Sequence, residues 1–527
     1  MRAFFHKYWF AIGIAFVYLY SFPYFRAIQH ANEVPRVYLT KAIVDEGSIR
    51  IDTGVKRWGR TADVSPAHGH CYSNKAPGAS FLAAPGYLAL KLVTWDAHPS
   101  LAAMTWTFRF VAGIVPMLLF LVMFYRFLGR YAPDPAVRRL LILAYGLGTM
   151  AMPYSILFHA HQLGAICIAI AFILAVWVIE DGLGERWLIA AGAAAGAAPL
   201  VDYQAAFAGV PLAIYIIWKL VRRPPRRVRA LVYTVAGSIP AVVALLVYHQ
   251  QAFGSPFKTG YNFSKTFAFH HQKGFLGMDK LRWEAFSGSM FAPDNGLLFF
   301  CPMLLLAFVG WYLLAKRKQW WTYGLTTSIV AIYVLFISAL NFWRGGWQLG
   351  PRYITAMLPF MMIPVAVAMS AMAKRWTTRG MAAGLMVVGI VVYALSCALY
   401  PHFPERFKNP LYQVTFRLIR DGYAPYNLGY VFGLRGFWSM VPLFAVLAAL
   451  IVYALVPARR YWRSGLLAAG LAVAILASYS TVQTETGSTA QRANERRADD
   501  RAYEHWVAGV MANGPGHPPI RVDRHCR

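Results

Sequence analysis

Acidic side chains are scarce in this sequence: 22 Asp and Glu stand against 51 Lys and Arg, and only 14% of the 527 residues are charged. Soluble domains carry nearer a quarter charged residues, so a water-facing exterior along the whole chain is excluded. A net charge of +29 would suggest nucleic acid in a soluble protein. Here the basic residues sit in short clusters between apolar runs, as in cytoplasmic loops of membrane proteins, and no nucleic-acid partner is expected. The five cysteines, Cys71, Cys167, Cys301, Cys397 and Cys526, have no metal-ligand spacing. No G-x-G-x-x-G cradle for a nucleotide sugar is present, and no internal repeat suggests the paired halves of a secondary transporter. A small-residue cleavage site is also missing after the first apolar segment, where Phe22-Pro23-Tyr24-Phe25-Arg26 stands instead. That segment reads as an uncleaved first span.

What the sequence has in quantity is apolar chain: 58% of residues are hydrophobic. Continuous runs of about 17–25 residues recur from end to end, the length a helix needs to cross about 30 Å of hydrocarbon. Their continuity excludes a transmembrane barrel, whose strands alternate. The expected fold class is therefore all-α and polytopic, with about thirteen membrane helices and a structured first extracytoplasmic loop. Two long runs are divided. Pro153, His159, His161 and Gln162 interrupt residues 140–179, and Pro199 and Asp202 interrupt residues 187–220. Dividing the second run puts the Arg222–Arg227 cluster on the cytoplasmic side, as the positive-inside bias requires.

The expected organisation is a transmembrane domain over residues 1–480 and an extracytoplasmic tail over 481–527. The outer loops are 26–100, 250–296, 341–352 and 401–436. Within the first, residues 36–46 have helical spacing, and 81–93 are apolar but too short to cross; both suit helices lying in the interface. Cys71 and Cys526 both fall outside, where a disulfide between them is open to test by non-reducing mass mapping.

This topology gathers polar residues at one membrane face. Glu33 follows the first span, and a carboxylate there can act as general base towards an acceptor hydroxyl, although charges at helix ends are also ordinary membrane anchors. Lys75, in Asn74-Lys75-Ala76-Pro77-Gly78, can neutralise a lipid phosphate as a point charge or simply snorkel. Asp202 is an acidic residue in a long apolar run, costly there unless it works or ends the helix in water. His159 and His161 suit hydrogen bonding to substrate better than metal binding, because no Asp or Glu completes a ligand set nearby. No metal site is assigned, and participation of a divalent cation is left open. In Asn341 to Tyr353, glycines permit close backbone approach and Arg352 offers a fork for phosphate oxygens.

Asn32-Glu33, then Arg36 and Tyr38, then Lys75-Ala76-Pro77 resemble motifs of the GT-C superfamily, in particular the branch with protein O-mannosyltransferases and lipid A aminoarabinose transferases. Those proteins carry Asp-Glu early in the first outer loop, then Arg-Tyr, then Lys-Pro-Pro. This chain departs from them at Asn32, at the Val37 between Arg36 and Tyr38, and at Ala76. The resemblance implies an inverting glycosyltransferase, hexosyl or pentosyl, at the outer face of the cytoplasmic membrane. It would take a polyprenyl-phosphate sugar as donor, with membrane lipid as its medium and a glycan, lipid or protein as acceptor. Glu33 is then the expected base, with Asp202 in reserve. Lys75, Arg352, Arg36 and Tyr353 would hold the donor phosphate, and Asn32, Tyr38, Tyr72, His159 and His161 would contact substrate. A transporter or flippase of lipid-linked saccharides is the alternative; it would place charges deep within spans rather than at one face.

Overall fold

The computed structural model describes residues 2–22, 28, 30–221, 227–266, 268–271, 273–274, 277–482 and 489–512. Arg26, most of the Arg222–Arg227 cluster and Cys526 lie outside them. Among the described residues, nine helices are long and apolar enough to cross a membrane, and three shorter apolar helices accompany them. The chain is a polytopic helical membrane protein. In hydrocarbon a backbone must satisfy its own hydrogen bonds, which leaves the helix as the default for such runs.

The two divided runs break where polar residues and prolines stand. Helix Trp187–Val201 ends at Asp202, whose backbone turns extended; its carboxylate accepts from the Gln204 N–H before helix Ala206–Val221 begins. Between helices Pro135–Leu147 and His161–Ile179 the chain runs buried and largely non-helical, apart from one turn at Pro153–Ile156. Helix Leu101–Arg109 continues through a π-turn at Phe110–Ile114, where a Cβ on Gly113 would come within 2.1 Å of the Ser155 carbonyl oxygen. This close approach seats the end of that helix against the buried connection, and Arg109 points from it. A second glycine contact joins helices Trp187–Val201 and Arg227–Phe253: Cβ atoms on Gly192 and Gly237 would fall 1.9 and 2.0 Å from opposing carbonyl oxygens. Small residues let such helices touch backbone to backbone.

The first outer loop is folded. It contains helices Val34–Glu46, Asp52–Trp58 and Gly78–Thr94; the first and last cover the helical segments 36–46 and 81–93 expected from sequence, but residues 34–42 are buried in the loop's own packing, so the first of them does not lie at the interface. Leu88, Leu92, Val93 and Trp95 on and just after the last of them are exposed, as a helix lying against lipid requires. Between them is an antiparallel hairpin, Val64–Ala67 with His70–Ser73, which the all-helical expectation did not include. Its two-residue turn, His68-Gly69, has positive φ at both positions (50° and 78°), the geometry that matches strand twist. Cys71 on this hairpin is disulfide-bonded, whereas Cys167, Cys301 and Cys397 carry free thiols.

A buried apolar cluster joins this loop to the membrane helices through Val37, Tyr38, Phe108, Phe158 and Phe253. At the other end of the chain, helix Thr489–Ala512 docks on the segment after Leu399. Trp506 packs edge-on to Tyr400 with ring centres 4.9 Å apart, and Arg417 bonds Asp500 at 2.7 Å.

Candidate functional site

A cavity of about 320 Å³ opens between the first outer loop and the membrane helices. Its polar end is built from four parts of the chain: His30, Asp63 and Lys75 of the first loop, Tyr203, Tyr261, and Arg352 with Tyr353. Its other end is apolar, lined by Phe207, Met278, Phe336 and Leu340. The segment Gly345-Gly346-Trp347 forms a wall. Both glycines have positive φ (69° and 80°), so the turn that aims this wall into the cavity is open to glycine and strained for other residues.

Lys75 and Asp63 form a buried pair, Nζ to Oδ1 2.9 Å, and Asn74 Nδ2 donates to the same Oδ1 at 3.2 Å. The ammonium also lies 5.4 Å from the Tyr261 ring centre. Burial and the nearby arginines bring the Lys75 ammonium down to about 8 against the pull of Asp63. Burial pushes the Asp63 carboxyl up, but Lys75 and Asn74 outweigh it and hold it below the usual carboxylate range.

Arg352 is 4% exposed, and among the described residues no carboxylate pairs with it. Nη2 donates to the Gly345 carbonyl at 2.5 Å, and Nε has no partner. Nη1 lies 3.2 Å from His30 Nε2. His30 Nδ1 accepts the Asn32 N–H at 3.1 Å, so a neutral ring carries its proton on Nε2 and donates to the Trp347 carbonyl at 2.9 Å. Burial and the neighbouring Arg352 push the His30 imidazole well below its ordinary range, in agreement with that neutral tautomer. A buried guanidinium without a carboxylate, facing a cavity, is a site for an anion.

Other residues expected at the site lie around the cavity or away from it. Glu33 is 0% exposed and does not line it. Arg109 grips both carboxylate oxygens, Nε to Oε1 2.8 Å and Nη2 to Oε2 2.6 Å, and the Phe158 N–H donates to Oε1 at 2.6 Å. Burial pushes this carboxyl up, yet Arg109 more than offsets it and the group stays ionised below its usual range. Glu33 thus clamps the first loop to the π-turn helix and to the buried connection, and no oxygen is left facing an acceptor. Asp202 Oδ2 lies 2.8 Å from His161 Nδ1, one residue from the cavity-lining Tyr203.

Arg36 Nη1 donates to Asn32 O at 2.8 Å and to Asn32 Oδ1, so these two hold each other behind the cavity. His159 is buried with both ring nitrogens unpartnered, against His30 (4.8 Å between ring centres) and Tyr154. Tyr38 stacks on Trp58 and donates to Gly59 O, and Tyr72 packs on Phe253; neither lines the cavity, because the loop's own core takes them. Of the eleven residues expected from sequence, Lys75, Arg352 and Tyr353 line it.

Sequence reasoning missed Asp63, His30, Tyr203 and the clamp residue Arg109. Asp63 is one of several acids in the first loop, and its only local signal is its place one residue before the hairpin that also presents Lys75. Tyr203 is fixed by His249: the hydroxyl is 2.9 Å from Nε2, while Nδ1 lies 3.0 Å from the Pro256 carbonyl. No group of three or more His, Cys, Asp or Glu among the described residues is arranged to hold a metal ion.

No protein-family model and no curated protein sequence matches the chain. It is similar in structure to ArnT from Cupriavidus metallidurans bound to undecaprenyl phosphate, with 15% identity, TM-score 0.48, and 90% of this chain and 78% of that one covered. It is also similar to the Archaeoglobus fulgidus oligosaccharyltransferase tethered with an acceptor peptide, with 12% identity, TM-score 0.45, and 77% and 57% covered. A third match is archaeal oligosaccharyltransferase AglB from the same organism, in complex with an inhibitory peptide and a dolichol-phosphate, with 10% identity, TM-score 0.40, and 89% and 56% covered.

Proposed function

We propose that this protein is a membrane transferase that moves a sugar from a polyprenyl-phosphate donor to an acceptor hydroxyl at the outer face of the cytoplasmic membrane. The observation that carries the reading is Arg352: a buried guanidinium with no carboxylate partner among the described residues, at the polar end of a cavity whose other end is apolar. That is the complement of a lipid phosphate. Phe207 belongs to helix Ala206–Val221 and Phe336 to helix Trp320–Ala339, so a polyprenyl tail can lie along membrane helices while its phosphate reaches Arg352.

Lys75 is the second cation, and Tyr353, whose ring centre is 5.3 Å from the Arg352 guanidinium carbon, completes the phosphate end. We place the base on Asp63, because it lines the cavity and only its Oδ1 is engaged by Lys75 and Asn74. Its Oδ2 takes the acceptor proton as the hydroxyl oxygen bonds to the anomeric carbon from the face opposite the phosphate. The anomeric carbon–oxygen bond breaks, configuration inverts, and the lipid phosphate leaves with its new charge held by Arg352 and Lys75. Asp202, through His161, is a positioning residue beside Tyr203 on this reading, and Glu33 holds the loop that carries Asp63 and Lys75.

Purified full-length protein, a polyprenyl-phosphate-linked radiolabelled sugar and a cell-envelope acceptor fraction test it. Transfer by the wild type, with loss of about a hundredfold or more in Arg352→Gln and Asp63→Asn at unchanged melting temperature, supports the reading. Lipid-dependent movement of saccharide across vesicles without transfer would replace it with the flippase.

A further inference from the structure

The charges around the cavity constrain the donor more closely than the presence of a phosphate site does. Among the described residues, four cations are buried there, Arg36, Lys75, Arg109 and Arg352, against the buried carboxylates of Glu33 and Asp63 and the partly buried one of Asp202. Lys75 is paired with Asp63 and Arg109 with Glu33. Arg36, on the first-loop helix, and Asp202, at the break between helices, cancel in number, and each contributes to the other's electrostatics.

The imidazoles do not change the count. His402 is buried and stacks on His30 with ring centres 5.1 Å apart, and burial brings its imidazole down to about 3, so it is neutral. His30 accepts a backbone N–H at Nδ1, which a doubly protonated ring cannot do. His159 has no acceptor at either nitrogen, so an imidazolium there would bury two unmet donors. His161 has a carboxylate at Nδ1 but no acceptor at Nε2, and the neutral ring with Nδ1–H towards Asp202 leaves no donor unmet. One positive charge remains, and it belongs to Arg352.

A phosphodiester between a polyprenol and a sugar carries one negative charge, so it closes this balance if the rest of the donor is neutral. An ammonium on the sugar would leave one positive charge uncompensated among these buried groups. A carboxylate on the sugar, or a diphosphate in place of the monophosphate, would leave one negative charge. Uncompensated buried charge is strongly unfavourable.

We propose that the donor is a polyprenyl monophosphate ester of an uncharged sugar, and that the surplus charge of Arg352 excludes amino sugars, uronic acids and diphosphate-linked donors. This rests on the donor reading above and adds the chemical class of the sugar and of its linkage.

The test needs no acceptor. Full-length protein in lipid nanodiscs at pH 7 is titrated with farnesyl-phosphate esters of glucose, glucosamine and glucuronic acid, and with farnesyl-diphosphate glucose, in competition with a fluorescent farnesyl phosphate. The glucose monophosphate ester should bind about tenfold or more tightly than each of the other three. Arg352→Gln removes the surplus, so its glucose-to-glucosamine preference should collapse or reverse even as overall affinity falls. Lys75→Met removes the same charge from a second position and should move the preference the same way, which keeps the test open if one variant fails to fold.

Equal or tighter binding of the glucosamine or glucuronic acid ester overturns the inference. So does a preference that persists unchanged in both variants, since exclusion would then come from shape. If no ester displaces the fluorescent farnesyl phosphate, the donor reading itself fails, and that result is distinct from a wrong choice among sugars.

Discussion

Replacing Glu33 by Gln separates two roles that sequence alone could not. The Glu33–Arg109 pair is fully enclosed, with side chains 0% and 1% exposed and two hydrogen bonds of 2.6 and 2.8 Å. Exposed pairs are worth a few tenths to 1 kcal/mol, but breaking a buried pair from one side costs about 3–5 kcal/mol, because the remaining charge has nowhere to go. Glu33→Gln takes the carboxylate charge away from the buried Arg109 guanidinium and weakens the acceptor of the Phe158 N–H. The expected outcome is a large fall in thermal stability, read as the temperature of half-maximal aggregation in a fixed detergent at one scan rate, since large membrane proteins denature irreversibly. Arg109→Met should cost a similar amount. The double replacement Glu33→Leu with Arg109→Met should recover much of the loss, because no unpaired charge remains. The reasoning is refuted if Glu33→Gln keeps wild-type stability while losing sugar transfer; Glu33 would then be the base after all.

Three further outcomes follow from other parts of the molecule. Donor affinity should fall as pH rises through about 8, where the Lys75 ammonium loses its charge, and Lys75→Met should flatten that profile. The folded-state value lies below the ordinary 10.5, so between about 8 and 10.5 the folded form holds fewer protons than the unfolded one, and this group makes the fold more stable as pH rises. Weaker binding at high pH therefore cannot be assigned to unfolding through Lys75, and binding that strengthens above pH 8 would contradict the role given to it. Gly237→Val should disrupt the packing of helices Trp187–Val201 and Arg227–Phe253, lowering the aggregation temperature by more than Gly470→Val, where a Cβ meets nothing within 4 Å. Asp202→Asn should reduce transfer through substrate positioning and appear in KM more than in kcat; loss confined to kcat would place Asp202 in the chemistry instead.

The membrane helices were legible because lipid leaves an apolar run little choice, and the break at Asp202 was legible because a carboxylate is costly in hydrocarbon. Arg352 and Lys75 were legible for a related reason: each stands beside Gly and Pro at the edge of a long apolar stretch. The pairing of charges was not. Glu33 owes its fate to Arg109, 76 residues away, and Arg352 meets His30 across 322 residues, distances over which spacing carries no information. Asp63 was hidden for a different reason. It precedes a short hairpin whose strands, Val64–Ala67 and His70–Ser73, include a proline and a histidine and lack the alternating apolar pattern that marks a strand. Which carboxylate faced the cavity was decided by that hairpin.

The central claim is that Arg352 and Lys75 together receive a lipid phosphate. A structure of the full-length protein determined with a bound polyprenyl phosphate tests it most directly. The phosphate is expected within hydrogen-bonding distance of Arg352 and Lys75, with the first isoprene units along Phe207 and Phe336. A phosphate bound elsewhere, with the cavity taken by water or by a lipid tail alone, would contradict it.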